Sequence, residues 1–281
     1  MKTAICAIAK NENNYIKEWC DYHLELGFDK IYVFDNNDNN GERISDAVSC
    51  DSVVIDNRFR GKNDRMHQGD AYISFYREKS KYYDWVAFID IDEFIYLEKH
   101  KNISDFLSEN FFENPDGVKL CWKCYTDNNL VRVVDNNYSV TRFTVPCETY
   151  STQSKTIMRG NLSYVTSIGA HGSPNLRHVV DATGKPCWNG RDLKYSVNIG
   201  EKHVWDNAYI KHYRFKTIEE FLDVKMRNWN QRNIKNKYIS LKYFWDINEK
   251  TPEKINYLKN NGIIPFSLVD ISANSKNHSR A

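Results

Sequence analysis

The chain has 281 residues, an apolar share of 41% and a net charge of +2. That length admits one large α/β domain with an extension, and the composition excludes collagen-like, disordered and membrane-embedded classes. A nearly neutral chain is not a nucleic-acid binder driven by its overall charge, and seven irregularly spaced cysteines read as reduced, mostly buried thiols, with Cys121 and Cys124 a lone pair that makes no zinc site.

The first hundred residues alternate strand and helix. Residues 3–9 form a short apolar run that stops at the polar 10–13, so they predict a buried strand. Tyr15, Ile16, Trp19, Cys20, His23 and Leu24 make a helical stripe, which Gly27 ends as a C-cap. Residues 31–34 predict a second strand, closed by the Asp- and Asn-rich turn at 35–41. Residues 53–55 predict a third strand. A helix from about Asp64 follows, with Tyr72, Phe75, Tyr76 and Tyr83 near one face, and then a fourth strand at 85–89 that runs into Asp90-Ile91-Asp92-Glu93-Phe94. Strands separated by helices predict a mostly parallel sheet, whose ligands sit beyond the carboxyl ends of its strands. The polar clusters at 10–13, 35–40 and 90–93 all fall there.

Beyond Asp116 the pattern changes. Residues 118–122 and 140–145 predict strands with long polar connections, and 155–159 puts Lys155, Ile157 and Arg159 on one strand face. Thr217-Ile218-Glu219-Glu220 is a capping-box sequence opening a helix, with Ile218, Phe221, Leu222 and Trp229 on its buried face. Pro252 starts a last helix, and the polar tail from Ser272 is expected to fray. Nine Lys or Arg between positions 211 and 242 make a basic segment suited to phosphates, to an anionic membrane surface or simply to solvent. The apolar run at the N-terminus is too short for a signal peptide and no stretch reaches membrane-spanning length, which gives the expectation of a cytoplasmic protein.

Asp90 and Asp92 carry the chemistry. In extended backbone, residues two apart share a face, so both carboxylates are expected in one space with Ile91 turned to the core. Two hard oxygen ligands at a strand end suit Mg²⁺ or Mn²⁺, and such an ion stabilises charge building on a diphosphate leaving group.

Residues 7–12, 33–37, 84–94 and 212–221, taken in order, resemble the motif series of bacterial family 2 glycosyltransferases, in the branch related to family 92. The resemblance runs from residue 3 to about residue 230. It implies an α/β GT-A fold: a mixed sheet flanked by helices, with a glycosyltransferase domain at 1–230 (nucleotide-sugar half 1–115, acceptor half 116–216) and a C-terminal helical extension at 231–281. It further implies a nucleoside-diphosphate sugar donor (UDP-linked), a divalent metal, a saccharide or lipid-linked saccharide acceptor, an inverting reaction, and a place in cell-surface polysaccharide or lipopolysaccharide synthesis at the membrane's inner face. By that resemblance Asp90 and Asp92 hold metal and diphosphate, Asp35 contacts base or ribose, and Lys10 and Asn11 line the donor pocket. Lys155 and Arg159 form a basic pair near donor or acceptor. The third metal ligand is His212 or, in a loop able to approach phosphates, His171. Asp127 is the candidate general base, with Glu148 as the alternative, and Trp122 is a candidate sugar wall.

Three rival classes share some of these features. A haloacid-dehalogenase-type phosphohydrolase also places Asp-x-Asp after a strand, but here Glu93-Phe94 follows and the βα units precede the motif. A nucleotidyltransferase carries a Gly-rich phosphate loop after its first strand, and Ala9-Lys10-Asn11-Glu12 has no glycine. A non-catalytic sugar-nucleotide binder would keep the fold without turnover.

Overall fold

The computed structural model describes residues 1–62, 67–133, 139–148, 153–187, 205–226 and 237–263. Contact clustering divides the chain into two compact units, one of residues 1–125 with 146–214 and one of residues 126–145 with 215–281. These boundaries do not coincide with the expected break at 230.

The first unit is a mixed sheet with helices packed on it. β1 (Thr3–Ala9), β2 (Lys30–Asp35), β3 (Val53–Asp56) and β4 (Trp85–Phe88) run parallel, as the alternation predicts. β7 (Ser154–Arg159) then pairs antiparallel with β4 and with β6 (Gly117–Cys124). β8 (Val179–Asp181) lies beside the start of β6, while β9 (Ala208–His212) pairs with its end and with β5 (Glu93–Leu97). The order is β3-β2-β1-β4-β7-β6-β9-β5, with β8 off the path. Ala4, Ile5, Cys6 and Ala7 are all fully buried, the pattern of a central parallel strand covered on both faces.

Helix α1 (Asn13–Glu25) forms on the predicted stripe. It ends in a Schellman motif: Gly27 N–H bonds Leu24 O at 3.0 Å, Phe28 N–H bonds His23 O at 3.1 Å, and Gly27 takes φ +97°. The buried face of α1 fixes β5. Trp19 Nε1 donates to Glu93 O at 2.8 Å, Tyr22 Oη donates to Ile95 O at 2.8 Å, and His23 Nε2 accepts from Ile95 N at 3.3 Å. Trp19 is wholly buried; truncating it to alanine would cost about 3–5 kcal/mol and leave the Glu93 carbonyl unpaired. A short α2 (Ile44–Ala47) follows β2, and α3 (Gln68–Lys79) packs Tyr72, Phe75 and Tyr76 against Phe88. The expected start of α3 at Asp64 lies outside the described residues, and Tyr83 lies beyond its end. α4 (Ile103–Leu107) is capped by Asn102.

The second unit packs Phe215, Ile218, Phe221, Leu241, Phe244 and Leu258 into a small core. The predicted capping box is present at Thr217 and Glu220, where α6 (Ile218–Glu220) opens and passes into a π-helical stretch, Phe221–Met226. α7 (Lys237–Trp245) and α8 (Pro252–Asn260) complete the helical extension. Trp229, the tail from Ser272 and three residues of the basic segment (Arg227, Arg232 and Lys235) fall outside the described residues.

One strand expectation fails. Residues 140–145 contribute a short helix, α5 (Ser139–Arg142), and then a loop. Arg142 is drawn to Glu220 at 2.7 Å and lies over the Phe143 ring, while the Asn128 side chain bonds Arg142 O, Thr144 Oγ1 and Val145 N. These contacts override the β preference of the Val and Thr residues.

Candidate active site

The acid motif is a turn, not the end of an extended strand. β4 stops at Phe88, Glu93 N–H bonds back to Asp90 O at 3.1 Å, and β5 begins at Glu93. The chain here crosses from β4 in one part of the sheet to β5 in another, and Asp suits such a turn. Ile91 is buried as expected. The two carboxylates, however, have different partners, because turn geometry does not keep residues two apart on one face.

Asp90 Oδ1 accepts from Gln68 Nε2 at 2.6 Å, with Tyr72 Oη at 3.4 Å, and Asp90 Oδ2 accepts from Lys155 Nζ at 2.8 Å. Phe88 pairs with Thr156, so Lys155 stands one residue past the end of β4 and reaches the turn. Lys155 Nζ also lies 3.4 Å from Glu93 Oε2, an atom that accepts the Asp90 N–H at 2.9 Å. Burial by itself would lower the Lys155 pKa; the charges of Asp90 and Glu93 outweigh it and hold the ammonium above its ordinary value. Burial raises the Glu93 pKa well above the ordinary carboxylate range, opposed by Lys155.

Asp92 is buried and turns to His212, whose Nε2 lies 3.5 Å from Asp92 Oδ1. Strand register explains the meeting, since Glu93 and His212 are paired residues of β5 and β9. Trp122 lies near both candidate histidines in tilted contacts, with ring centroids 4.2 Å from His212 and 5.4 Å from His171. His171 Nδ1 is held at 3.0 Å from Ser154 O, and its pKa is lowered by burial first, so the ring is neutral at pH 7. The loop carrying it depends on Gly172, at φ +127° and tight against the Thr156 side chain.

The donor set for a divalent ion fits in part. Asp92 and His212 offer one hard oxygen and one imidazole side by side, suited to Mn²⁺ more than Mg²⁺. Asp90 is not turned to them, and among the described residues no three His, Cys, Asp or Glu side chains converge as a ready cage. Of the two histidines, His212 is the one in contact with the acid motif.

The remaining candidates are distributed as follows. Lys10 Nζ is 3.5 Å from Asp38, and Asn11, at φ +58°, donates its N–H to Asn37 Oδ1 at 2.7 Å. Both sit after β1, at the carboxyl edge of the parallel strands. Asp35 is fully buried and satisfied internally by Arg60 Nη1 at 2.8 Å, Asn37 N at 2.8 Å and Ile44 N at 3.2 Å. It organises the turn after β2. Arg159 does not join Lys155: it lies at the other end of β7, over the Trp85 ring at 4.0 Å, and donates to Phe112 O and Glu113 O. Four extended residues separate the two by about 13 Å.

Asp127 belongs to the second unit, where it is buried against Lys254 Nζ at 2.6 Å and accepts from Asn129 N at 2.9 Å. Its own N–H donates to Asn248 Oδ1 at 2.8 Å. These contacts occupy the carboxylate as a fold-internal ion pair. Glu148 is exposed. Sequence reading missed Gln68, Tyr72 and Glu93 as members of the acid cluster. Glu93 was visible as the residue after Asp92, but its burial and its bond to the Asp90 N–H follow from the turn.

Comparison with known proteins adds the family. A model described as Glycosyltransferase family 92 matches residues 65–255. A glycosyltransferase family 92 protein of Oryza sativa subsp. japonica is 24% identical over 123 residues, 43% of this chain and 20% of that protein. One of Ricinus communis is 26% identical over 128 residues (43% and 22%), and one of Arabidopsis thaliana 28% over 99 (35% and 17%). The chain thus spans about a fifth of the length of the curated relatives it matches. A crystal structure of S. aureus TarS aligns with TM-score 0.34 and 17% identity over 57% of this chain and 28% of that one.

Proposed function

From the chain's membership of glycosyltransferase family 92, we propose that it transfers a sugar, with inversion, from a nucleoside-diphosphate donor (UDP-linked) to a saccharide acceptor, on a GT-A fold. The observation that carries this reading is the cluster of Asp90, Asp92, Glu93, Lys155 and His212 gathered at the end of β4. Lys10 and Asn11, after β1, supply polar groups to the donor on the same edge of the sheet. Lys155 fixes Asp90 and places a permanent positive charge beside the diphosphate. Asp92 and His212 are the residues that would hold Mn²⁺ or Mg²⁺ beside the donor's diphosphate. Such an ion, when bound, neutralises charge on the departing diphosphate. The same reading puts the enzyme in the synthesis of a cell-surface polysaccharide or lipopolysaccharide, at the inner face of a membrane. Among the described residues no helix is long and apolar enough to cross one.

The test is nucleotide release from a panel of UDP-sugars, with Mn²⁺ and a saccharide acceptor. UDP formation that depends on acceptor supports transfer. Binding without turnover across the panel would indicate a sugar-nucleotide binder instead, and phosphate release without any nucleotide-sugar would indicate a phosphohydrolase.

A further inference from the structure

The face of the β6–β9–β5 ladder opposite His212 carries a second set of groups that the transfer reading does not use. Side chains alternate along a strand. Trp122 and His212 therefore take one face, and Lys123, Lys211 and Tyr209 take the other. Lys123 and Lys211 are paired residues of neighbouring parallel strands, so their side chains stand next to each other. Tyr96 and Tyr209 are likewise paired, with ring centroids 5.0 Å apart.

Neither lysine meets a carboxylate among the described residues. Each ammonium rests on aromatic rings instead: Lys211 Nζ lies 4.1 Å from the Tyr96 centroid, and Lys123 Nζ lies 4.8 Å from Tyr209 and 4.9 Å from Trp205. Trp205 is fixed by its Nε1–H bond to Trp122 O at 3.1 Å, and the Tyr125 and Tyr209 hydroxyls bond to each other. Two like charges on adjacent strands, half-buried, repel; the Lys211 pKa is lowered by burial first and then by Lys123. An ammonium over a ring is held more weakly than one that donates hydrogen bonds to an anion. An anion bridging Lys123 and Lys211 would draw both ammonium groups off the rings. That bares the apolar faces of Tyr96 and Trp205 beside tyrosine hydroxyls, which is the mixed surface a sugar ring needs.

We propose that this face is a second binding site, for an anionic saccharide: a glycan whose carboxylate or phosphate groups bridge Lys123 and Lys211 while its rings rest on Tyr96 and Trp205. The site goes beyond the transfer reading and does not rest on it, because it occupies the other side of the sheet from Asp92 and His212.

Titration calorimetry on the full chain tests it, with hyaluronan tetrasaccharide as the acidic probe, cellotetraose as the neutral probe of equal length, inorganic phosphate as the bare anion, and phosphatidylserine vesicles as the lipid alternative. The acidic tetrasaccharide is expected to bind at least about tenfold tighter than cellotetraose and than phosphate. The double variant Lys123→Gln, Lys211→Gln, checked for an unchanged melting temperature, should lose about tenfold or more. Asp92→Asn should keep the affinity within about twofold, so failure of the active-site reading stays distinguishable from failure of this one. Equal affinity in the double variant, equal binding of neutral and acidic probes, phosphate matching the tetrasaccharide, or capture by vesicles without tetrasaccharide binding would each overturn it.

Discussion

Lys155 Nζ lies 2.8 Å from Asp90 Oδ2 with its side chain almost wholly enclosed, so a buried ammonium faces the first acid of the β4–β5 turn. The second acid, Asp92, faces an imidazole. One acid motif thus serves two partners, and the division follows from its being a turn.

Replacing Lys155 with methionine should separate these roles. Asp90 remains about one-third open to water, so the loss of its counter-charge is expected to cost about 1–3 kcal/mol rather than the larger penalty of a fully buried pair. Donor binding should fall by about tenfold or more, because the fixed positive charge beside the diphosphate is gone. Lys155→Arg should not restore it, since a planar guanidinium is bulkier than the enclosed ammonium it replaces. Chemical denaturation and calorimetric titration with UDP read the two effects; unchanged UDP affinity in a folded Lys155→Met variant would contradict the role.

Asp127 is expected to act on stability. Its pair with Lys254 is buried on both sides, and neutralising Asp127 leaves the Lys254 ammonium enclosed without a counter-charge, with only Asn129 Oδ1 and Glu249 O as acceptors, a loss of about 3 kcal/mol. Asp127→Asn should therefore lower the melting temperature strongly, while the joint change Asp127→Leu with Lys254→Met recovers much of the loss. Turnover by that double variant, measured below its melting temperature, is expected to persist. A normal melting temperature with abolished turnover in Asp127→Asn would instead make this residue the base.

His23 gives a pH signature. It is buried as a neutral ring, and burial lowers its pKa to about 3. The unfolded chain takes up a proton near pH 6.5 that the folded chain refuses. The stability this ring contributes is thus complete above about pH 6.5 and falls by about 1.4 kcal/mol for each unit of pH below it, until the folded pKa is reached. Between pH 7 and pH 5 the wild type should lose about 2 kcal/mol more than His23→Gln. Matching pH profiles for the two proteins, from urea unfolding, would contradict this.

β1 to β4 and α1 were legible because each local signal agreed with the fold. The apolar run of β1, the stripe and Gly27 stop of α1, and the turn residues after β2 all act over a few neighbours. Thr217 and Glu220 were legible for the same reason, since a capping box closes within one turn. The helix at 139–142 was not, because Arg142 and Asn128 act through partners distant in sequence. The same holds at the site. Asp92 with His212 was anticipated by motif order, but Lys155 on Asp90 depends on where β7 ends beside β4, and the separation of Arg159 from Lys155 depends on the length of that strand. Asp35, the candidate nucleotide contact, is held by Arg60, a residue that carries no motif.

The most direct test of the central claim is the melting temperature of the full chain with UDP and Mn²⁺, alone and together, for wild type, Asp92→Asn and His212→Asn. Wild type should gain a few degrees with both ligands present and little with either alone, because nucleotide and ion complete each other's coordination. Both variants should lose that joint gain while melting near the wild-type temperature without ligand. An equal gain from UDP in the absence of metal, or a full joint gain in Asp92→Asn, would contradict the claim that this turn grips the donor's diphosphate through a divalent ion.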